Sequence, residues 1–306
     1  MNGILIIDKP AGITSHDVVS RLRRILKTKS IGHTGTLDPF ATGVLVMLIG
    51  KATRLARFLD KDAKEYEATV RFGFETDTGD ATGSSKFQVQ SSKSFTVEDV
   101  KSVLPEFRGE ILQTPPMYSA KKIKGKKLYE LARQGIEIER EPVKVKISKL
   151  EILSEHLEKS ANDLELETWN LKLRVACSAG TYILTLAEDI GKKVGTGAHL
   201  AELRRTRAGN FDLKQAVTLE ELEEIVQTEK SGEVLISMNE ALIHLPKVIL
   251  TEVNVEKTRN GIKYNYQDAE INDNQAIRMT DENENLVAIG FYNSAEKYVQ
   301  PKVVLV

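Results

Sequence analysis

Apolar positions along the 306 residues switch between two periods, and the switches mark out the elements. Gly3 to Ile7 is a short apolar run ending in Asp8-Lys9-Pro10-Ala11-Gly12, where proline and glycine force a turn. Thr14 and Asp17 then stand at capping-box spacing ahead of Val18, Val19, Leu22, Ile25 and Leu26, a helical stripe. Val44 to Ile49 is apolar without interruption, which predicts a buried strand, and Lys51 to Leu59 a short helix. From Lys64 to Phe74 the chain alternates, with Tyr66, Ala68, Val70, Phe72 and Phe74 on one face of a half-buried strand. Ser84 to Ser94 is a polar surface loop, and Thr96 and Asp99 cap a helix running to Leu104.

The second half repeats these patterns. Leu164 to Cys177 alternates as a strand, and Thr181 to Val194 carries the helical stripe Ile183, Leu186, Ala187, Ile190 and Val194. Ala198, Leu200 and Leu203 read as one side of a further helix that ends in Arg204, Arg205 and Arg207. Glu220 to Glu233 is an acidic helix followed by a linker. Beyond Pro246 come short strands at Ala276–Met279, Leu286–Phe291 and Lys302–Val306. The expected architecture is α+β in two domains: a mixed sheet with flanking helices and a central cleft over 1–237, then a small β-rich module over 238–306.

Composition narrows the class. With 41% hydrophobic residues and no long apolar run, the chain reads as globular with no bilayer span. No basic segment precedes Ile4 to Ile7, so no cleaved signal peptide is expected. The single cysteine, Cys177, rules out an internal disulfide, fits a reducing cytoplasm, and reads as a small buried hydrophobe. A net charge of −1 argues against a uniformly basic nucleic-acid binder but not against a basic patch. Two such patches occur. One helix face carries Arg21, Arg23, Arg24, Lys27 and Lys29; the stretch from Ser119 to Lys149 holds ten Lys/Arg, among them Lys121, Lys122, Lys126 and Lys127, against four Glu, with Tyr129 interleaved. A charge run is usually a solvated face; this one contains Gly125 and lies between proline-marked turns, as a mobile arm would.

Candidate chemistry concentrates between Ser30 and Gly50, where Gly32, Gly35 and Gly43 surround His33, Thr34, Thr36 and Asp38. The pattern is not a phosphate-cradling loop, because Leu45 and Ala52 stand where glycine and Ser/Thr are needed. The five histidines never pair at metal-ligand spacing. Taken alone, Asp38-Pro39 starts a turn.

The whole string GHTGTLDPFATG, however, resembles the signature of the TruB family of tRNA pseudouridine synthases, which supply a catalytic aspartate at the position of Asp38. DKPAGITSHDVV resembles the family's first motif, Tyr66 falls on its active-site tyrosine in a K-x-Y setting, and Thr76 to Gly83 matches a third string. Met117 to Gly135 follows the pattern MYSAxKxxGKKLYELARxG of an insertion that closes over the tRNA arm. The resemblance extends over nearly all of Gly3 to Phe211 and implies that His33, Tyr66, Tyr182 and Leu203 meet the substrate. It implies isomerisation of a T-loop uridine, position 55 in tRNA numbering, with no metal or cofactor, by a protein expected to be a cytoplasmic monomer. Lys121, Lys122, Lys126, Lys127, Arg204 and Arg205 are candidate phosphate contacts. Val287-Ala288-Ile289-Gly290 and the proline-then-valine last strand resemble a PUA RNA-binding domain.

One position departs. The family's Tyr-Ile-Arg is Tyr182-Ile183-Leu184 here, so the arginine that would pair with the aspartate is missing. Either Arg204 or Arg205 substitutes, or Asp38 is pushed toward its neutral form. The departure also keeps open a non-catalytic T-loop binder or tRNA-folding chaperone, and the shared motifs a guide-RNA-dependent synthase.

Overall fold

A computed structural model describes residues 1–60, 62–88, 96–119, 121–123, 125–154, 158–159, 168–228, 232–268 and 270–306. The expected first four residues of the 164–177 strand, the end of the expected 84–94 loop and Lys124 fall outside the described residues, and the start of that loop is instead a strand, Ser85–Gln88, paired with Phe74–Thr76.

The main sheet is built on β1 (Gly3–Lys9), β2 (Ile31–Thr34), β3 (Thr42–Ile49) and β4 (Lys64–Phe72). β1 runs antiparallel along one edge of β3, Gly3 opposite Ile49 and Lys9 opposite Gly43. The other edge of β3 is shared: β2 pairs with its second half, and the Ala198–Ala208 strand pairs in parallel with Thr42 and Gly43. From that strand the sheet continues through β4, Trp169–Cys177, Val143–Ile152 and Gly109–Gln113, all antiparallel. A connection leaving β2 and returning into β3 is thus delivered to the point where the Ala198–Ala208 strand arrives. Residues 35–41 are that connection.

Helix α1 (Ser15–Ile25) opens with the expected capping box, Thr14 and Asp17 bonding reciprocally, and buries Val18, Val19 and Leu22. The helix Ile183–Val194 ends at Gly195 in the left-handed conformation. Both pack on the sheet face that carries Leu5, Ile7, Leu45, Met47, Val70 and Leu200. The opposite face of β1 and β3, with Ile4, Ile6, Val46 and Leu48, is covered by Ile289, Val303 and Leu305 of the C-terminal sheet. Burial on both faces explains why these two strands read as unbroken apolar runs. The C-terminal sheet has five strands, in the order Lys247–Ile249, Ala276–Thr280, Leu286–Asn293, Tyr298–Val304 and Tyr264–Asn265.

One expectation is overturned. Residues 198–208 form a strand, not a helix. Its register against β4 shifts between Leu200 and Glu202 and again between Arg205 and Arg207, and each shift places residues three apart on one face, imitating a helical period. Smaller differences follow from local chemistry: Lys51 to Leu59 divides into a 3-10 turn, Gly50–Leu55, and one α-turn, Ala56–Leu59, and the strand from Lys64 stops at Phe72 because Gly73 takes a positive φ.

Candidate active site

The loop carrying Asp38 is fastened from both sides. On the N-terminal side, Ser15 Oγ accepts the Leu37 N–H at 2.9 Å and donates to the Leu37 carbonyl at 3.0 Å. The Gly12 N–H donates to the Pro39 carbonyl at 2.8 Å. Lys9, 0% exposed, spends its ammonium on three carbonyls: Pro10 and Ile13 at 2.8 Å, Pro39 at 3.3 Å. On the other side Arg205, 1% exposed, donates to Val44 O at 2.7 Å, Gly35 O at 3.0 Å and Thr36 O at 3.4 Å. Gly43 permits that approach, since a Cβ there would lie 2.1 Å from the Arg205 carbonyl oxygen. Asp38 is left half-buried between two cations whose donors are already committed to backbone.

The electrostatics follow from this placement. Among the described residues none pairs with the Asp38 carboxylate at ion-pair distance; burial pushes it up to about 6, Asp80 adds to the rise, and Lys9 and Arg205 oppose it. Burial likewise lowers Lys9 to about 8, against the pull of Asp38. Asp80 is fixed by Thr78 Oγ1 at 2.8 Å, Thr82 N–H at 2.8 Å and Thr82 Oγ1 at 2.6 Å. The unfolded Asp38 carboxyl, at its ordinary value of 3.8, releases its proton before the folded one does at about 6. The stability conferred by protonated Asp38 is therefore complete below pH 4 and lost as pH rises through 6, by about 3 kcal/mol at neutrality. We expect Asp38→Asn to be more stable than wild type at pH 7 and nearly equal to it at pH 4, as denaturant unfolding at the two pH values will read; equal gaps at both would contradict the raised pKa.

Asp38 faces a cleft of about 240 Å³ whose lining comes from Gly35–Asp38, Lys64 and Tyr66 of β4, Tyr118, Ser119 and Lys121, residues 179–184, Leu203 and Arg205. Tyr66 and Leu203 are buried side by side on neighbouring strands, Leu203 opposite Ala68 and Arg205 opposite Tyr66. Tyr182 is held by Gln113, whose side chain accepts its N–H at 3.0 Å and donates to its carbonyl at 3.2 Å. Burial raises both tyrosines. Leu184, 6% exposed, lines the cleft beside Gly79.

Of the residues singled out in the sequence, Asp38, Tyr66, Tyr182, Leu203, Lys121 and Arg205 meet at this cleft. His33 does not line it. It sits on β2 opposite Met47, its Nδ1 buried without a partner among the described residues and its pKa lowered chiefly by burial. Lys122, Lys126 and Lys127 lie on a small hairpin away from the lining, Lys127 donating to the Tyr129 hydroxyl at 3.1 Å. Arg204 bonds Asp8 at 2.6 Å and Thr42 Oγ1 at 3.3 Å. Arg205 is buried on backbone carbonyls, which leaves its guanidinium a loop anchor and not the phosphate contact its position in an arginine run suggested. Lys9, Lys64, Asp80, Gln113 and Ser119 were not singled out. Lys64 donates to Asp60 O at 2.9 Å and Asp62 O at 2.6 Å, and its only sequence signal was the K-x-Y spacing to Tyr66. Cys177 is buried and burial pushes its thiol up to about 11, as befits a small core hydrophobe.

Residues 23–183, more than half the chain, match the TruB family pseudouridylate synthase N-terminal domain. The chain belongs to the TruB family. Residues 185–249 also match the tRNA pseudouridylate synthase B C-terminal domain. Relatives named tRNA pseudouridine synthase B include those of Solibacter usitatus, 46% identical over 85% of this chain and 85% of the relative. That of Bacillus cytotoxicus is 43% identical over 86% and 84%. Among solved structures, a Cbf5-Nop10-Gar1 complex is similar over 99% of this chain and 85% of the matched one, with TM-score 0.73 and 28% identity. An H/ACA RNP bound to a substrate RNA containing 2'-deoxyuridine matches over the same shares with TM-score 0.73 and 26% identity. The likeness to these solved structures thus spans the main sheet and the β-rich C-terminal sheet alike, whereas the family models end at residue 249.

Proposed function

We propose that this chain isomerises a uridine in tRNA to pseudouridine, at position 55 of the T-loop, without a guide RNA. The observation that carries the reading is Asp38, held on a doubly fastened loop at a cleft walled by Tyr66, Tyr182 and Leu203. The reaction breaks the N1–C1′ bond of uridine, forms a C5–C1′ bond, and overall moves the C5 proton to N1, so nothing enters or leaves. Asp38 acts on the sugar, by adding to C1′ or by taking the C2′ proton. Its carboxylate is the active form for either role, so activity rises with pH through about 6.

A uridine stacked in a folded loop has to be turned out to reach Asp38, at a cost of a few kcal/mol. The flat faces of Tyr66 and Tyr182 and the apolar Leu203 return part of that cost by packing on the base. His33, close behind the loop, occupies the vacated stack. The greater identity to relatives named tRNA pseudouridine synthase B than to the guide-RNA assemblies favours the stand-alone enzyme. Leu184 does not favour a non-catalytic binder, because Arg205 already supplies a buried cation beside Asp38. We assign catalysis to residues 1–237 and auxiliary RNA binding to the module 238–306. Incubating the pure protein with unmodified tRNA transcript and no guide RNA, and assaying pseudouridine in the T-loop, tests the reading; no product would refute it.

The basic insertion supplies phosphate contacts in this scheme. Replacing Lys121, Lys122, Lys126 and Lys127 together by Gln is expected to weaken all tRNAs alike. It should also flatten the slope of log affinity against log salt by up to about three or four, close to one unit for each phosphate no longer neutralised. A binding titration at several salt concentrations reads the slope, and an unchanged slope would make the run a solvated surface only.

A further inference from the structure

Several polar groups lining the cleft are already bonded within the protein. Arg205 and Lys64 donate to backbone carbonyls, and Thr181 Oγ1 donates to the Ser178 carbonyl at 2.9 Å. Ser119 differs from these: it is 6% exposed, lines the cleft, and its Oγ is buried with no well-formed hydrogen bond among the described residues. The neighbouring Tyr182 phenol lies within hydrogen-bonding reach of this hydroxyl, which offsets part of the rise that burial gives the phenol, but the two do not meet at a well-formed hydrogen-bond geometry, so the contact is one a substrate can replace. The backbone around it is set, since the Ser119 carbonyl accepts the Tyr129 N–H at 3.1 Å. A buried hydroxyl with no partner is destabilising, and such groups are rare in folded chains unless something else satisfies them.

We infer that Ser119 Oγ is the hydrogen-bond partner of the uracil edge in the flipped-out state. The inference rests on the proposed isomerase activity. Tyr66, Tyr182, Leu203 and Leu184 offer the base faces and apolar surface, and a buried hydroxyl without a well-formed bond in the same cleft is placed to hold the base's polar edge. A hydroxyl suits this task for a chemical reason. When the detached base turns to present C5 in place of N1, it makes a half-turn about the line through N3 and C6. N3–H stays where it was, and O2 and O4 exchange places. A group that accepts from N3–H, or donates to whichever carbonyl oxygen is nearer, finds the same partner before and after the turn. A rotatable hydroxyl can do both. Because Ser119 begins the basic insertion, the same contact makes seating of that segment on tRNA a condition for gripping the base.

The test separates this contact from folding and from tRNA binding. For Ser119→Ala, the single-turnover rate of pseudouridine formation on tRNA transcript is expected to fall roughly tenfold to a hundredfold, the range for removing one hydrogen bond in a water-excluded site. Affinity for tRNA should stay within about twofold, since the contact forms only after the base has left the loop. The melting temperature should not fall, because the orphan group has been removed. If the alanine variant does melt lower, Ser119→Cys, close in volume and a weak hydrogen-bonding group, carries the same three measurements. An unchanged single-turnover rate overturns the inference and leaves the hydroxyl to an ordered water. A slower rate matched by an equal weakening of tRNA affinity also overturns it, making Ser119 a structural part of the insertion. Absence of pseudouridine with the wild-type protein in the same assay would bring down the isomerase reading itself.

Discussion

Asp38→Asn is expected to lose at least about a thousandfold in pseudouridine formation while its affinity for tRNA stays within a few-fold of wild type. The amide keeps the volume of the carboxyl and so disturbs neither the Ser15–Leu37 bonds nor the Lys9 and Arg205 anchors, all of which reach backbone and not the Asp38 side chain. What it removes is the one oxygen able to add to C1′ or accept a C2′ proton. Single-turnover assays alongside binding titrations measure the two quantities separately. Retained activity would take the carboxylate out of the mechanism. Combined with the expected gain in stability at pH 7, the variant should be a more robust and inactive tRNA binder, the pattern produced when a charge is kept in a buried place for chemistry and not for folding.

Arg205→Met carries the second large effect. The methionine replaces the aliphatic stem but not the guanidinium, so the carbonyls of Gly35, Thr36 and Val44 lose the Arg205 donor. We expect a loss of about 3 kcal/mol or more in unfolding free energy. Asp38 also loses a countercharge, so its pKa moves above about 6 and the acid limb of the pH–rate profile shifts toward neutral pH. Arg205→Lys restores the charge without the planar fork that spans three carbonyls, and should recover the pH profile better than the stability. Wild-type stability and an unshifted profile in the methionine variant would show that the loop is held by the Ser15 and Lys9 side alone.

Much of this architecture could be read from periodicity, and the failures have physical causes. β1, β3 and β4 and the helices at Ser15–Ile25 and Ile183–Val194 were legible because burial on one or both faces leaves a simple pattern. The Ala198–Ala208 strand was not, because two register shifts turn alternation into a spacing of three. The same error obscured how Arg205 acts: at a helix end it read as a phosphate contact or a stand-in for the missing arginine, whereas on a strand its guanidinium is bonded to the backbone carbonyls of the Asp38 loop. Lys9 escaped notice for a different reason. A lysine at the end of an apolar strand normally reaches solvent, and only the convergence of two loops makes three carbonyls available to it. Ser119 stood inside a run read for its charge and its family pattern, and an unsatisfied hydroxyl leaves no trace in a sequence.

The parallel pairing of Ala198–Ala208 with β3 has a consequence for the order of events on the ribosome. β1 and β3 can pair as soon as the first fifty or so residues have emerged, but β3 and β4 are not neighbours; the strand that joins them is synthesised about 150 residues later. Contacts closing over such a separation form late, after local hairpins and helices. Until that strand inserts, the Asp38 loop lacks Arg205, Leu203 is not beside Tyr66, and the edge of β4 destined for it is unpaired. A nascent chain therefore spends about two-fifths of its synthesis with an exposed strand edge, open to pairing with other chains. The Asp38 carboxylate is set in place only when the sheet closes, so the chain acquires its proposed chemistry and its protection from aggregation in one step.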